Sequence, residues 1–353
     1  MLKLLTEQLR QSRSLTEDQV AEAVAQLVDE QVASEIKADF LSVLARKGET
    51  TGEIAAFARE LRARSLAPPI DVETRAREIL DVCGTGGDRL NTFNISTTVA
   101  LVVASAGITV AKHGNRAITS QSGSADVLQA LGIPVELTPA DAAASLREHH
   151  FAFFFAQQFH PAFRHIAPAR KLCAERGERT IFNILGPLLN PARPSAQLVG
   201  VPRPELCEPV ARALQSLGVR RGMVVCGLVD AAAGAPATCL DELSTLGDTH
   251  VAEFYQERGF AVSLMPRAHF GLQPATLADL AGGNSAANAE IIRRLLSGVE
   301  RGPKREAVLL NAAAALFVAG QTESLTEGWE QAARLIDNGQ AQAKLRELSS
   351  IKP

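Results

Sequence analysis

Cysteine is scarce and unpatterned: Cys83, Cys173, Cys207, Cys226 and Cys239 are the only five in 353 residues, an odd number with no Cys-x-x-Cys pair. This excludes a disulfide framework and a cysteine zinc site, and it leaves buried free thiols. An excess of one charge is also lacking. With 36 basic and 39 acidic residues, the formal net charge is -3. A chain so balanced, with a calculated pI near 6.2, has no field that would gather nucleic acid or an anionic membrane, so any anionic ligand must be held locally. No apolar run reaches the ~20 residues of a spanning helix. The two most apolar stretches, Thr97 to Ala111 and Ala307 to Gly320, contain Ser, Thr, Gly or Asn and read as core. The opening MLKLLTEQLRQSR meets Glu7 before any long apolar run, unlike a secretory leader, so a cytoplasmic protein is expected. Internal repeats and low-complexity linkers are absent as well.

What is present is an ordinary globular composition, 46% hydrophobic and 21% charged, in a chain long enough for two domains. The first seventy residues carry helical periodicity: Val20, Val24, Leu27 and Val28, then Ile36, Phe40, Val43 and Leu44. Thr16 with Gln19 and Thr50 with Glu53 have capping-box spacing, and Arg46-Lys47-Gly48 offers a basic last turn with a glycine stop. Ala67-Pro68-Pro69 ends the unit. From about Glu78 short apolar runs alternate with glycine-rich turns and helical segments: EILDVC, GITVAK, PVEL, QLVGV, GMVVCG and FAVSLM. The expectation is an α/β fold, a small N-terminal helical domain plus a larger α/β domain with a mainly parallel central sheet. Ligands of such sheets collect beyond the carboxyl ends of the strands.

The most informative segment is EILDVCGTGGDRLNTFNISTTVALVVASAG, a strand running into Gly84-Thr85-Gly86-Gly87-Asp88, after which Asn94-Ile95-Ser96-Thr97 opens an apolar helix. Glycines let backbone N–H groups approach an anion, and a helix start adds unpaired N–H groups and the positive end of the dipole. Ser96 and Thr97 add hydroxyls, and Ser96 can instead turn its oxygen to a metal. The nucleotide loop Gly-x-x-x-x-Gly-Lys-Ser/Thr is absent, and Arg89 stands where the dinucleotide fingerprint needs its third glycine. The same spacing also fits a plain strand-to-helix turn capped by Ser96. A second polar loop favours the phosphate reading: Lys112-His113-Gly114-Asn115-Arg116 ends another apolar run, and Ser120 to Asp126 leads into VLQALG. His113 by itself reads as a hydrogen-bonded structural histidine.

With DVCGTGGD, NTFNIST, AKHGNR, SGSAD, TIFNILGPLLNP and LDELS in this order, the chain resembles the anthranilate phosphoribosyltransferase family over nearly its whole length. The resemblance implies a helical domain at 1–70, joined by an excursion of the chain at about 161–189, and an α/β domain over 71–353. It also implies a homodimer. By the same resemblance, 5-phosphoribosyl 1-pyrophosphate (PRPP) falls on Gly84, Gly87, Asp88, Thr92, Asn94, Ile95, Ser96, Thr97, Lys112, His113, Gly114, Asn115, Arg116, Ala117, Ile118, Thr119, Ser120 and Ser124. Anthranilate falls on Gly84, Asn115 and Arg170, and Mg2+ on Ser96, Asp241 and Glu242. Arg170 can pair a guanidinium fork with a carboxylate. Adjacent carboxylates serve one metal cluster only from a turn or an element end, which is what Asp241-Glu242 then requires.

The chain departs from the family pattern at Gln121, where lysine is frequent, at Asn284, where an acidic residue is usual, and over Cys173 to Glu178, a slightly longer connection. None of these removes an assigned residue. The implied reaction needs no covalent nucleophile or strong base, because an aromatic amine is neutral at pH 7; it needs positioning and charge control. Two rivals share the architecture, a pyrimidine nucleoside phosphorylase and a non-catalytic nucleic-acid binder. Asn115, Arg170 and LDELS argue against the first, the acidic pI against the second.

Overall fold

The computed structural model describes residues 1–117, 121–230, 238–256 and 259–351. Four helices come first: α1 (Leu2–Arg10), α2 (Glu17–Val28), α3 (Ser34–Lys47) and α4 (Thr51–Ala63). Their ends follow the local code. Thr16 and Gln19 close a capping box on α2, Thr50 and Glu53 close another on α4, and Gly48 stops α3 with φ at 86°, a conformation that side chains other than glycine disfavour. Glu53 does more than cap. Its buried carboxylate also accepts the Leu15 N–H at 2.9 Å and pairs with Lys47 at 2.8 Å.

After the short α5 (Val72–Ala76), the chain alternates: β1 (Ile79–Gly84), α6 (Ile95–Ser105), β2 (Thr109–Gly114), α7 (Ser124–Ala130), α8 (Pro139–His149), β3 (Phe151–Phe155) and α9 (Ala156–Phe159). Then α10 (Ala167–Glu175) and α11 (Phe182–Leu185) precede β4 (Ala196–Gly200), α12 (Cys207–Ser216), β5 (Arg221–Val229), β6 (Thr238–Leu240), β7 (Thr249–Tyr255) and β8 (Gly259–Met265). The helices α13 (Ser285–Leu296), α14 (Pro303–Val318), α15 (Leu325–Asp337) and α16 (Gln340–Ser349) end the described chain. Among the described residues the strands form one sheet ordered β3-β2-β1-β4-β5-β7-β8, with β6 on the end of β5. The five from β3 to β5 run parallel; β6, β7 and β8 are antiparallel. The mainly parallel sheet expected from the alternation is therefore present.

Alternate residues along each strand feed different cores. Leu80, Val82, Leu198, Met223 and Val225 pack with α6, α14 and the last helices. Cys83, Val199, Val224 and Cys226 face α12 and the N-terminal helices, the period of two that a sheet buried on both faces requires. That second core also takes in Ile166, Ala169, Cys173, Ile181 and Leu185. Polar contacts seal the same junction: Lys37 Nζ donates to the His165 carbonyl at 2.9 Å, and Glu178 is bonded by Ser42 and Arg46. No helix among the described residues is long and apolar enough to cross a membrane.

One expected strand is not there. Ile133, Val135 and Leu137 are buried and Glu136 is exposed, so the alternation is real, but residues 134–137 pair with no described strand and run from α7 to α8. Periodicity reports burial; a strand also needs a partner for its backbone groups. Conversely FAFFF (β3) and THVAEFY (β7) form strands that the sequence patterns do not announce.

Glu53→Ala is expected to cost about 3–5 kcal/mol, because it strands Lys47 and the Leu15 N–H in the interior. Urea unfolding measures it, and a loss within the scatter of surface substitutions would show that the pair is dispensable. Lys47→Met combined with Glu53→Leu should recover much of the loss, since no buried charge is then left alone.

Candidate active site

Gly84, Gly114 and Gly200 end β1, β2 and β4 on the same edge of the sheet. Each ends where a side chain would collide. A Cβ on Gly84 would come within 2.1 Å of Asp241 Oδ2, and one on Gly114 within 2.2 Å of Ser124 Oγ. Gly200, the neighbour of Gly84 in the ladder, would meet the backbone of Asp241 at 1.5 Å. The glycines thus clear a space at the strand ends that Asp241 enters.

The loop after β1 turns through Gly86 and Gly87, both at positive φ (73° and 90°). Asp241 and Glu242 sit in the turn after β6, and their carboxylates diverge onto two parts of the phosphate-type motif. Asp241 Oδ2 accepts the Gly86 N–H at 2.7 Å, and Glu242 Oε1 accepts the Ser96 N–H at the start of α6 at 3.1 Å. Lys112 is almost fully buried; its Nζ donates to the Val82 carbonyl at 2.7 Å and reaches Ser96 Oγ at 3.4 Å. Asn94 caps α6 in position and donates its Nδ2 to the Ser122 carbonyl at 3.2 Å, joining the first loop to the second. Ser124 Oγ donates to the Asn115 carbonyl at 3.3 Å. Asp88 stands beside Asp241, Thr92 bridges Ala281, and Ile95 and Thr97 are buried on the first turn of α6. Among the described residues Thr97 Oγ1 has no hydrogen-bond partner.

Other expected residues have local engagements. Arg116 is paired with Asp126 at 3.2 Å and Glu136 at 3.1 Å, and Ala117 N–H donates to Asp126. Ile118, Thr119 and Ser120 lie outside the described residues. His113 is buried, with Nδ1 3.1 Å from the Gly186 carbonyl. Asn284, one of the departures, accepts the Ala287 N–H at 2.9 Å as the N-cap of α13, the service an acidic residue also gives.

Arg170 lies on α10, away from the second polar loop in sequence, and is tied through rings to His113 at the end of β2. Its Cζ is 5.3 Å from the centre of Phe182, which meets Phe163 at 5.8 Å; Phe163 stacks on His160 at 5.0 Å, and His160 meets His113 edge-on at 5.3 Å. Burial pushes the Arg170 guanidinium below its ordinary range, and no carboxylate pairs with it among the described residues. An unpaired, half-buried arginine over an aromatic shelf is suited to a planar acid. His160, Phe163 and Phe182 were not singled out from sequence; their signal was the aromatic content of HPAF and TIFN within the excursion.

Two carboxyls at the edge are pushed toward their neutral forms. Burial first, and Asp88 second, push the Asp241 carboxyl up to about 7 against the Gly86 N–H. Glu242 is raised well above the ordinary range by burial and by Asp241, with Lys112 opposing. A divalent ion held by these carboxylates and Ser96 would favour their ionised forms and so oppose both shifts. The two carboxylates of one turn and the Ser96 hydroxyl near Glu242 are oxygen donors of the kind such an ion takes.

The family comparisons agree with this geometry. Residues 3–65 match the glycosyl transferase family helical bundle domain and residues 76–342 its a/b domain. The anthranilate phosphoribosyltransferase of Lacticaseibacillus paracasei is 44% identical over 349 residues, spanning 99% of this chain and 96% of its own. This chain belongs to the anthranilate phosphoribosyltransferase family. The Caulobacter vibrioides member is 48% identical over 85% of this chain and 82% of its own. Among solved structures, the Thermus thermophilus enzyme superposes with a TM-score of 0.85 at 40% identity, covering 98% of both chains. The Saccharomyces cerevisiae enzyme in complex with PRPP and Mg gives 0.86 at 26% identity, covering 99% of this chain and 98% of that one.

The pH dependence of stability tests the electrostatics. An acid raised from 3.8 to about 7 binds more protons folded than unfolded. Its contribution to stability is therefore fully present below the unfolded value and lost as pH rises through the folded one. Without divalent cations, the thermal midpoint should fall more between pH 4 and 7 in the native chain than in Asp241→Asn. Parallel curves for the two would show that Asp241 is not desolvated.

Proposed function

We propose that this enzyme transfers the 5-phosphoribosyl group of PRPP to the amine of anthranilate, releasing pyrophosphate and giving N-(5-phosphoribosyl)anthranilate, a step of tryptophan biosynthesis. The observation that carries this reading is the interlock at the sheet edge, where Asp241 holds the Gly86 N–H and Glu242 the Ser96 N–H. One turn thereby brings carboxylates to the two backbone segments best suited to a diphosphate. Yeast structures with PRPP and Mg, and with 4-fluoroanthranilate, lend the substrate classes.

In this reading the backbone of Gly87 and Asp88 and the first turn of α6 take the diphosphate and the 5-phosphate, the Gly86 and Ser96 N–H groups being engaged by Asp241 and Glu242, with Asn94, Ser96, Thr97, Lys112 and Ser124 adding side-chain donors. Ser96, Asp241 and Glu242 would hold Mg2+, which when bound supplies charge neutralisation for the departing pyrophosphate. Arg170 forks onto the anthranilate carboxylate while Gly84 and Asn115 border its ring. Burial lowers His113 to about 3 and His160 to about 4, so both rings are neutral at pH 7 and add no charge that would compete with Arg170 for the acid. The amine nitrogen attacks C1 of the ribose as the bond to pyrophosphate breaks, the bonding electrons leave with the pyrophosphate, the nitrogen gives up one proton to the pyrophosphate or to water, and no protein nucleophile intervenes. Positioning is what the chain contributes. Two copies would pair, as the resemblance implies.

Arg170→Ala should lower kcat/KM for anthranilate on the order of ten- to a hundredfold, the worth of a charge-assisted bond of about 1.5–3 kcal/mol, while PRPP affinity stays nearly unchanged. Arg170→Lys should recover only part, because an ammonium lacks the planar fork. Aniline is the control: it should be poor with the native enzyme and no poorer with Arg170→Ala. Equal losses for anthranilate and aniline would remove Arg170 from substrate recognition.

A further inference from the structure

The segment before α13 lies against the phosphate loop although no role above requires it. Phe93 N–H donates to the Leu280 carbonyl at 3.0 Å, and Gly282 N–H donates to the Asn91 carbonyl at 2.9 Å. The approach is close enough to demand glycine at 282, where a Cβ would come within 2.8 Å of the Phe93 backbone and 2.9 Å of Asn288 Oδ1. Asn288, on α13, is 2% exposed and uses both ends of its amide. Oδ1 accepts the Gly283 N–H at 2.8 Å, and Nδ2 donates to Asn94 Oδ1 at 2.8 Å.

This arrangement has a direction. A backbone N–H can only donate, so Gly283 fixes which end of the Asn288 amide is oxygen, and the Asn288 NH2 group in turn fixes the Asn94 oxygen toward itself. Asn94 is left with its NH2 group facing the Ser122 carbonyl, and its own backbone carbonyl accepts Thr98 N–H at 3.0 Å and Thr98 Oγ1 at 2.9 Å. Reversing either amide would set oxygen against oxygen. We infer that Asn288 is a positioning residue for PRPP: by orienting Asn94 it holds the N-terminus of α6 and Ser122 in the one relation that suits the phosphates. The inference rests on the proposed PRPP site and assigns Asn288 no contact with the substrate.

The test is a double-mutant cycle on the full chain, with binding of PRPP in saturating Mg2+ followed by calorimetry and the thermal midpoint measured beside it. Asn288→Ala should weaken PRPP binding about tenfold, the order expected when one buried hydrogen bond that orients a ligand-binding group is lost. On an Asn94→Ala background the same substitution should weaken it by less than about twofold, because the group through which it acts is gone. KM for anthranilate should stay within about twofold throughout. A loss undiminished on the Asn94→Ala background, or one matched by an equal rise in KM for anthranilate, overturns the inference and makes Asn288 a packing residue. If Asn288→Ala does not fold, Asn288→Ser takes its place, since its shorter side chain can still accept from Gly283 without reaching Asn94. A native chain that does not bind PRPP refutes the proposed function itself, and a native chain that binds it while the cycle fails refutes only this inference.

Discussion

The bond from the Gly86 N–H to Asp241 closes the sheet edge, and most of the site's geometry depends on it. Asp241 can approach only because Gly84 and Gly200 carry no side chains, and those glycines adjoin only because β1 and β4 pair in parallel register. Its burial has an electrostatic cost that the Gly86 N–H offsets in part, which leaves the carboxyl pushed up to about 7. Glu242 beside it is raised as well, so the edge buries two carboxyls that a cation would return to their ionised forms. The turn is held from behind by Asn311 on α14, whose buried amide accepts the Leu243 N–H at 2.9 Å and donates to the Leu243 carbonyl at 3.0 Å.

A third buried asparagine, Asn190, donates to Asp81 at 2.9 Å and to the Ala111 carbonyl at 2.7 Å, joining β1 to β2 from the segment after α11. Asn288 and Asn311 thus meet different walls of the edge, while Asn190 braces the middle of β1 and β2 behind it, and each comes from an element distant in sequence. Neutral amides suit this task because they satisfy buried backbone groups without placing more charge beside the carboxylates.

Helix ends were legible from sequence because their signals are local: Thr16, Thr50 and Gly48 act on residues three or four positions away. The glycine loop was legible for the same reason. PVEL shows where this stops, since alternating burial carries no information about whether a neighbouring strand exists. Arg170 was reachable only through the resemblance, because its meaning depends on Phe182 and on having no paired carboxylate among the described residues, neither of which spacing encodes. The resemblance also set Arg116 with the phosphate contacts, yet its charge is directed to Asp126 and Glu136, partners on the following helix and the segment after it. Asn288 gave no signal; a buried asparagine in an alanine-rich helix is silent until its partner 194 positions away is placed.

The second core joins residues from the first sixty to Ile166, Cys173, Ile181 and Leu185. During synthesis the N-terminal helices therefore emerge long before the surface that covers them, although domains generally fold as units from the N-terminus onward. Their apolar faces are covered in full only after α12 and β5 have also left the ribosome, by which time β1 to β4 are free to pair. A nascent chain halted between α4 and α10 would carry those faces uncovered, a target for chaperones and for aggregation. The wiring of the excursion makes the two domains contemporaries in folding, whatever their order in the gene.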